Sequence, residues 1–168
     1  MGDFTAEYPP STSEERVIVD AALETLAWSE HAYCVHDEHG VCIASATDCE
    51  CEKRSPDALD LPEMIDGLVV EWDEHQRGQL VQQIIEFVND PAVLADLEAT
   101  GQSLEQCGHD FILTRNGHGA GFWDRGYGAA GDRLTAAVKP YGGVHATVLS
   151  VTAEDDPTVL YATVGIES

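Results

Sequence analysis

The chain has 168 residues, enough for one domain with its own core, and 43% of them are apolar, a globular share that excludes wholesale disorder. No apolar run approaches the ~20 residues that a membrane-crossing helix needs. Asp3 and Glu7 precede any basic residue with no apolar stretch beside them, which predicts no export signal and a cytoplasmic location.

Thirty-one acids against eight bases give a formal charge of −23. Such a charge repels nucleic acid and anionic membranes and attracts basic surfaces. It is unevenly placed: residues 1–105 hold 24 Asp and Glu against four Lys and Arg, a local −20, and residues 106–168 carry −3. High-salt adaptation is the competing source, and Lys53 and Lys139 are the only lysines. That adaptation acts on every exposed surface, however, and here the C-terminal third is nearly balanced.

Residues 1–11, with Pro9-Pro10, predict a mobile leader before a single α+β domain over 12–168. Thr12 and Glu15 have the spacing of a capping box, which predicts a helix from Ser13 to Ser29 with Val17, Ala21, Leu23, Leu26 and Ala27 on its buried side. Residues 32–45 predict a hairpin around Asp37-Glu38-His39-Gly40. A loop follows, then a short helix from Leu61-Pro62-Glu63. Residues 73–89 place Leu80, Val81, Ile84, Ile85 and Val88 on one helical face. Asp90-Pro91 ends that helix, and a shorter one runs from Pro91 to Ala99, closed by Gly101.

The texture changes at Gly108. DFILTR reads as a strand, NGHGAG as a turn and GFWDRG as the return, which predicts a β-hairpin. Residues 132–141 predict a helix ending at Gly142, and VHATVLSV and TVLYATVGI a second hairpin. The expected fold is therefore α+β, with acidic helices packed on a small, mostly antiparallel sheet: a helix-rich acidic part over 12–105 and a glycine-rich β part over 106–168.

Three constellations carry chemistry. Cys34, His36, His39 and Cys42 lie close enough on the first hairpin for a tetrahedral zinc site, although their spacing is not that of a paired CxxC knuckle; the plainer account is small buried hydrophobes beside exposed histidines. With five cysteines and no export signal, free thiols or a metal are expected before disulfides. Arg115, Asn116, His118, Trp123, Asp124 and Arg125 supply residue types for ligand binding or for a small enzyme centred on 115–125, with glycines that admit close backbone approach. The alternative there is structural, with aromatics in the core and Asp124 paired to Arg115 or Arg125. No P-loop, dinucleotide fingerprint or nucleophile elbow occurs, Cys107 and His109 do not form a catalytic pair, and no catalytic residue is assigned.

The third constellation is acidic: Glu63, Asp66, Glu71, Asp73, Glu74, Glu86, Asp90, Asp96 and Glu98. Carboxylates on successive helix turns, ~5.4 Å apart, imitate the spacing of backbone phosphates. Such a surface suits the basic cleft of a nucleic-acid-binding protein. A merely solubilising face is the plain alternative.

The run GHDFILTRNGHGAGFWDRGYGAAGDRLTAAVKPYG, residues 108–142, resembles a C-terminal signature of small uncharacterised phage and mobile-element proteins, DFxLTRNGHGAGFWDRG followed by a Gly-Asp-x-Leu-Thr helix and a strand pair. The signature covers about a fifth of the chain and brings no established activity, so no residue role is carried over from it. It implies an accessory protein of an infected or plasmid-bearing cell. The chain departs from it in the Cys/His-rich hairpin and the long C-terminal tail. Charge and resemblance together predict a non-enzymatic inhibitor or modulator of a host nucleic-acid-handling or defence protein, with no direct nucleic-acid contact and no cofactor unless zinc binds.

Overall fold

A computed structural model describes residues 12–29, 35–36, 42–44, 68–153 and 160–167. The expected leader, the loop after residue 45 and the short helix at 61–63 lie outside these. The chain is α+β and divides into two compact units, one taking in Met1–Leu26 and Glu74–Val144, the other Ala27–Asp73 and His145–Glu167.

The first unit is helical. α1, Ser13–Ser29, starts as its sequence dictates: the Glu15 amide donates to Thr12 Oγ1 at 3.1 Å, and the Thr12 amide donates to Glu15 Oε2 at 3.1 Å. Its buried face is Ile18, Val19, Ala21, Ala22, Leu23 and Leu26, with Val17 only half-buried. α2, Glu74–Asn89, buries Leu80, Val81, Ile84, Phe87 and Val88, while Ile85 stays half-exposed. Asp90 then caps α3, Pro91–Thr100, accepting from the amides of Ala92 and Val93, and Pro91 takes the first turn where its missing N–H costs nothing.

α4, Leu104–Asn116, replaces the hairpin expected over 108–128. Ser103 caps it by accepting from the Gln106 amide, and it ends in a Schellman motif: Gly117 sits at φ 64°, its amide donating to Thr114 O and that of His118 to Leu113 O. Turns lead to α5, Ala129–Val138, and a 3₁₀ turn, Lys139–Tyr141, which stops at Gly142 as expected. The β character expected after residue 105 is corrected accordingly: α4 is a helix there, beside the helix expected over 132–141, which is α5.

The core of this unit is aromatic. Phe87 and Phe111 have ring centroids 5.0 Å apart, Phe87 and Phe122 5.9 Å, and Tyr141 closes edge-on against Phe111 at 5.5 Å.

The second unit holds the strands. β1, Val35–His36, and β2, Cys42–Ala44, pair antiparallel, as the first hairpin predicts. β3, Val69–Trp72, β4, His145–Ala153, and β5, Leu160–Glu167, form a sheet of order β3-β5-β4. β4 and β5 make the second expected hairpin, with a register shift between Val148 and Ser150 that leaves Leu149 as an extra residue, 55% exposed. β3 lies parallel to β5, and the Asp73 amide continues the ladder onto Val164 O at 2.8 Å.

Candidate functional site

Residues 108–142 are built first as packing. Gly108 lies where α4 crosses α1: a Cβ there would strike the Ile18 carbonyl and come within 2.9 Å of Ala21 Cβ and the Ala22 nitrogen. One turn away, the buried Thr25 hydroxyl donates to Ala21 O at 2.7 Å, so it is the His109 Nδ1–H that donates to Thr25 Oγ1 in their short contact. Glycine, a small helix-facing surface and a hydroxyl anchor thus fix α4 on α1.

Two of the six groups that sequence reasoning assigned to a ligand, Arg115 and Asn116, hold backbone instead. Arg115 is 8% exposed and gives its Nε to Gly142 O at 2.9 Å, Nη1 to Gln83 Oε1 at 2.7 Å and Nη2 to Tyr141 O at 2.9 Å. Its guanidinium also lies 5.5 Å from the Phe111 ring centroid and 5.9 Å from that of Tyr141. Burial pushes it down to about 10, so it stays charged at neutral pH, compensated by carbonyl dipoles and ring faces. Asn116 joins Val144 in both directions, donating to its carbonyl at 2.7 Å and accepting from its amide at 2.8 Å. Thr114 Oγ1 accepts from the Phe122 amide and so draws the turn back over α4. Arg115 and Asn116 are therefore positioning residues of the fold.

Asp110 is fully buried, with Oδ1 accepting from Gln106 Nε2 at 2.8 Å and Arg125 Nε at 2.9 Å, while Oδ2 has no hydrogen-bond partner among the described residues. Asp110 raises the pKa of Arg125, first through their hydrogen bond. The ion pair expected between Asp124 and an arginine is replaced by this one, and Asp124 is exposed. Trp123 is exposed over Gly121, and His118 is half-buried beside the end of α4. Cys107 is a buried thiol pushed up to about 12 by desolvation and then by the Asp110 charge, the opposite of an activated nucleophile.

The acidic candidates separate by role. Glu71 on β3 and Glu74 on α2 are exposed, and Asp73 is half-buried between them. Glu86 is exposed and accepts from Gln82 Nε2. Asp90 caps α3; with Glu86, and after burial, it raises the Tyr141 phenol. Asp96 is bound by Arg133, whose Nε donates at 2.9 Å and Nη2 at 2.5 Å, and this bonding holds its carboxyl below the usual range. Asp96 is thus an internal ion-pair partner. Glu98 is exposed. On α2, Glu74 and Glu86 stand twelve residues apart, or ~18 Å along the axis, so that helix carries separated charges and no turn-by-turn ladder. Glu63 and Asp66 lie outside the described residues.

Of the zinc candidates, His36 and Cys42 are Cα partners across β1 and β2, while Cys34 and His39 lie outside the described residues. Among the described residues, no three His, Cys, Asp or Glu are gathered for a metal, and no helix is long and apolar enough to cross a membrane.

Sequence reasoning passed over one feature. A cleft of about 340 Å³ opens between the first turn of α1, the α2–α3 corner and the first turn of α4. Glu14, Glu15 and Glu98 bring carboxylates to it, and Ile18, Leu97 and Leu104 are among its apolar walls. The two capping signals, Thr12 and Ser103, were its readable markers, but their meeting is tertiary. No family model, curated protein sequence or solved structure matches the chain.

Proposed function

We propose that this chain is a non-enzymatic acidic accessory protein of a phage or mobile element that binds the basic surface of a host nucleic-acid-handling or defence protein and modulates it. The observation that carries this reading is the charge of −20 over residues 1–105. Glu71, Glu74, Glu86 and Glu98 support it, because all four are exposed. Exposed charges of one sign accelerate encounter with a basic cleft and reject nucleic acid. The separation of Glu74 from Glu86 favours general electrostatic complementarity over imitation of a regular phosphate ladder.

The test is capture of host proteins by tagged full-length chain at low and high salt, read by mass spectrometry, beside a variant carrying E71Q, E74Q, E86Q and E98Q. One nucleic-acid-binding protein retained at low salt, released at high salt and lost by the variant is the expected result. A partner held equally by the variant, or held unchanged in ~1 M salt, where the screening length is only ~3 Å, overturns the reading.

A further inference from the structure

We infer that the cleft between the first turns of α1 and α4 and the α2–α3 corner is the socket for an arginine side chain of the basic partner; this rests on the function proposed above and names where and by what chemistry the partner is gripped. Three properties of the cleft select that occupant.

The first is size. At about 340 Å³ it stands at the small end of ligand pockets, roughly 300–1,000 Å³, and has room for one long side chain.

The second is shape and polarity. Ile18, Val88, Leu97 and the buried Cys107 line its interior, and Leu94 and Leu104 stand 47% and 37% exposed at its sides. An aliphatic stem packs on such walls. The Gln102 carboxamide is buried in the wall, and neither Oε1 nor Nε2 is hydrogen-bonded among the described residues.

The third is charge. Glu14, Glu15 and Glu98 line the cleft, and no Lys, Arg or His among the described residues does. Two helix N-termini also face it, each worth about half a positive charge, which by themselves would favour an anion. The Glu15 carboxylate is already bonded to the Thr12 amide and to Asn89 Nδ2, and the two exposed carboxylates of Glu14 and Glu98 outweigh the helix ends. The helix ends are moreover already capped, since the Glu15 amide donates to Thr12 Oγ1 and the Gln106 amide to Ser103 Oγ. The socket therefore takes a cation. Guanidinium fits better than ammonium because it sheds water more readily and presents a flat fork of donors that matches carboxylates.

The experiment is a ¹⁵N-correlation NMR titration of the full chain with N-acetyl-arginine-N-methylamide, its neutral citrulline isostere and the norleucine analogue. Millimolar binding of the arginine compound is expected, with shifts gathered at Asn89, Glu98, Gln102 and Leu104, at least fivefold weaker binding of the other two, and at least fivefold weaker arginine binding by E14Q/E98Q protein of unchanged melting temperature. Equal binding of the three compounds would make the occupant merely apolar and overturn the inference, as would shifts located elsewhere. E14Q/E98Q is also carried through the capture experiment. A basic partner retained undiminished by this variant overturns the socket and leaves the proposed function intact. Failure of the function itself looks different: wild-type protein then retains no basic protein at any salt, and the socket loses its partner whatever the titration gives.

Discussion

Gly78 and Gly108 both lie inside helices, yet replacing each by alanine is expected to move stability in opposite directions. A Cβ at Gly78 meets nothing within 4 Å, so only helix propensity acts, and alanine is worth about 0.8–1 kcal/mol over glycine. At Gly108 the same propensity gain is set against contact with the Ile18 carbonyl and approaches of 2.9 Å to Ala21 Cβ and the Ala22 nitrogen. Two of these three neighbours are backbone atoms, which no rotamer change removes. Overpacking of this kind costs roughly 1–3 kcal/mol and occasionally more. Collision with a backbone carbonyl places G108A at the upper end of that range, so its net effect is a loss of about 2 kcal/mol, or more if α1 cannot shift. At about 2–4 °C per kcal/mol for a chain of this length, G78A should raise the melting temperature by about 2–4 °C and G108A lower it by about 4–8 °C. Thermal melts and denaturant midpoints with unchanged slope measure both. G108A protein as stable as wild type would show that α4 does not cross α1 at this distance, and the placing of Cys107, His109 and Asp110 would fall with it.

R115K should destabilise by about 2–4 kcal/mol, because an ammonium cannot serve Gln83, Tyr141 and Gly142 from one fork; a denaturation midpoint like that of wild type would contradict this role. Cys107 should resist iodoacetamide in native protein at pH 8 and react fully once unfolded, as peptide mapping would reveal. Its folded pKa of about 12 lies above the unfolded value of 9.0, so the thiol binds its proton more tightly when folded. Stability from this group is complete below pH 9 and falls as pH rises toward 12, by about 1.4 kcal/mol per unit; C107A should therefore unfold at higher pH, and an unchanged alkaline transition would refute the assignment. For Asp96 the sign is reversed. Arg133 depresses its folded pKa, so its contribution is present above pH 3.8 and is lost as pH falls through the lower folded value. D96N should flatten the acid limb of the stability profile, and a limb of unchanged steepness would show that this pair does not stabilise the fold.

The features legible in the sequence are the local ones. Thr12, Asp90 and Gly101 declare helix ends through bonds within three residues, and those ends stand where the sequence places them. The run Phe111 to Leu113 misleads because a helix buried on nearly every side carries the same unbroken apolar stretch as a strand. Ser103 and Gly117 are the correcting signals, one cap at each end. β3 is too short to recognise, and its partner β5 lies about ninety residues further on. Arg115 and Asn116 resemble ligand groups because their backbone acceptors are 26 to 28 residues downstream, in a turn whose return onto α4 no local pattern announces. Still longer separations hide the bond between Asp96 and Arg133, 37 residues apart, and the meeting of two capped helix ends at one cleft.

The association rate of the captured partner, measured against ionic strength for wild type and for the E71Q/E74Q/E86Q/E98Q variant, tests the acidic-surface reading most directly. Electrostatic steering predicts a wild-type rate that falls steeply with salt and exceeds that of the variant by roughly tenfold at low salt, the two converging as salt screens the charges. Equal rates at low salt, or a wild-type rate indifferent to salt, would contradict it.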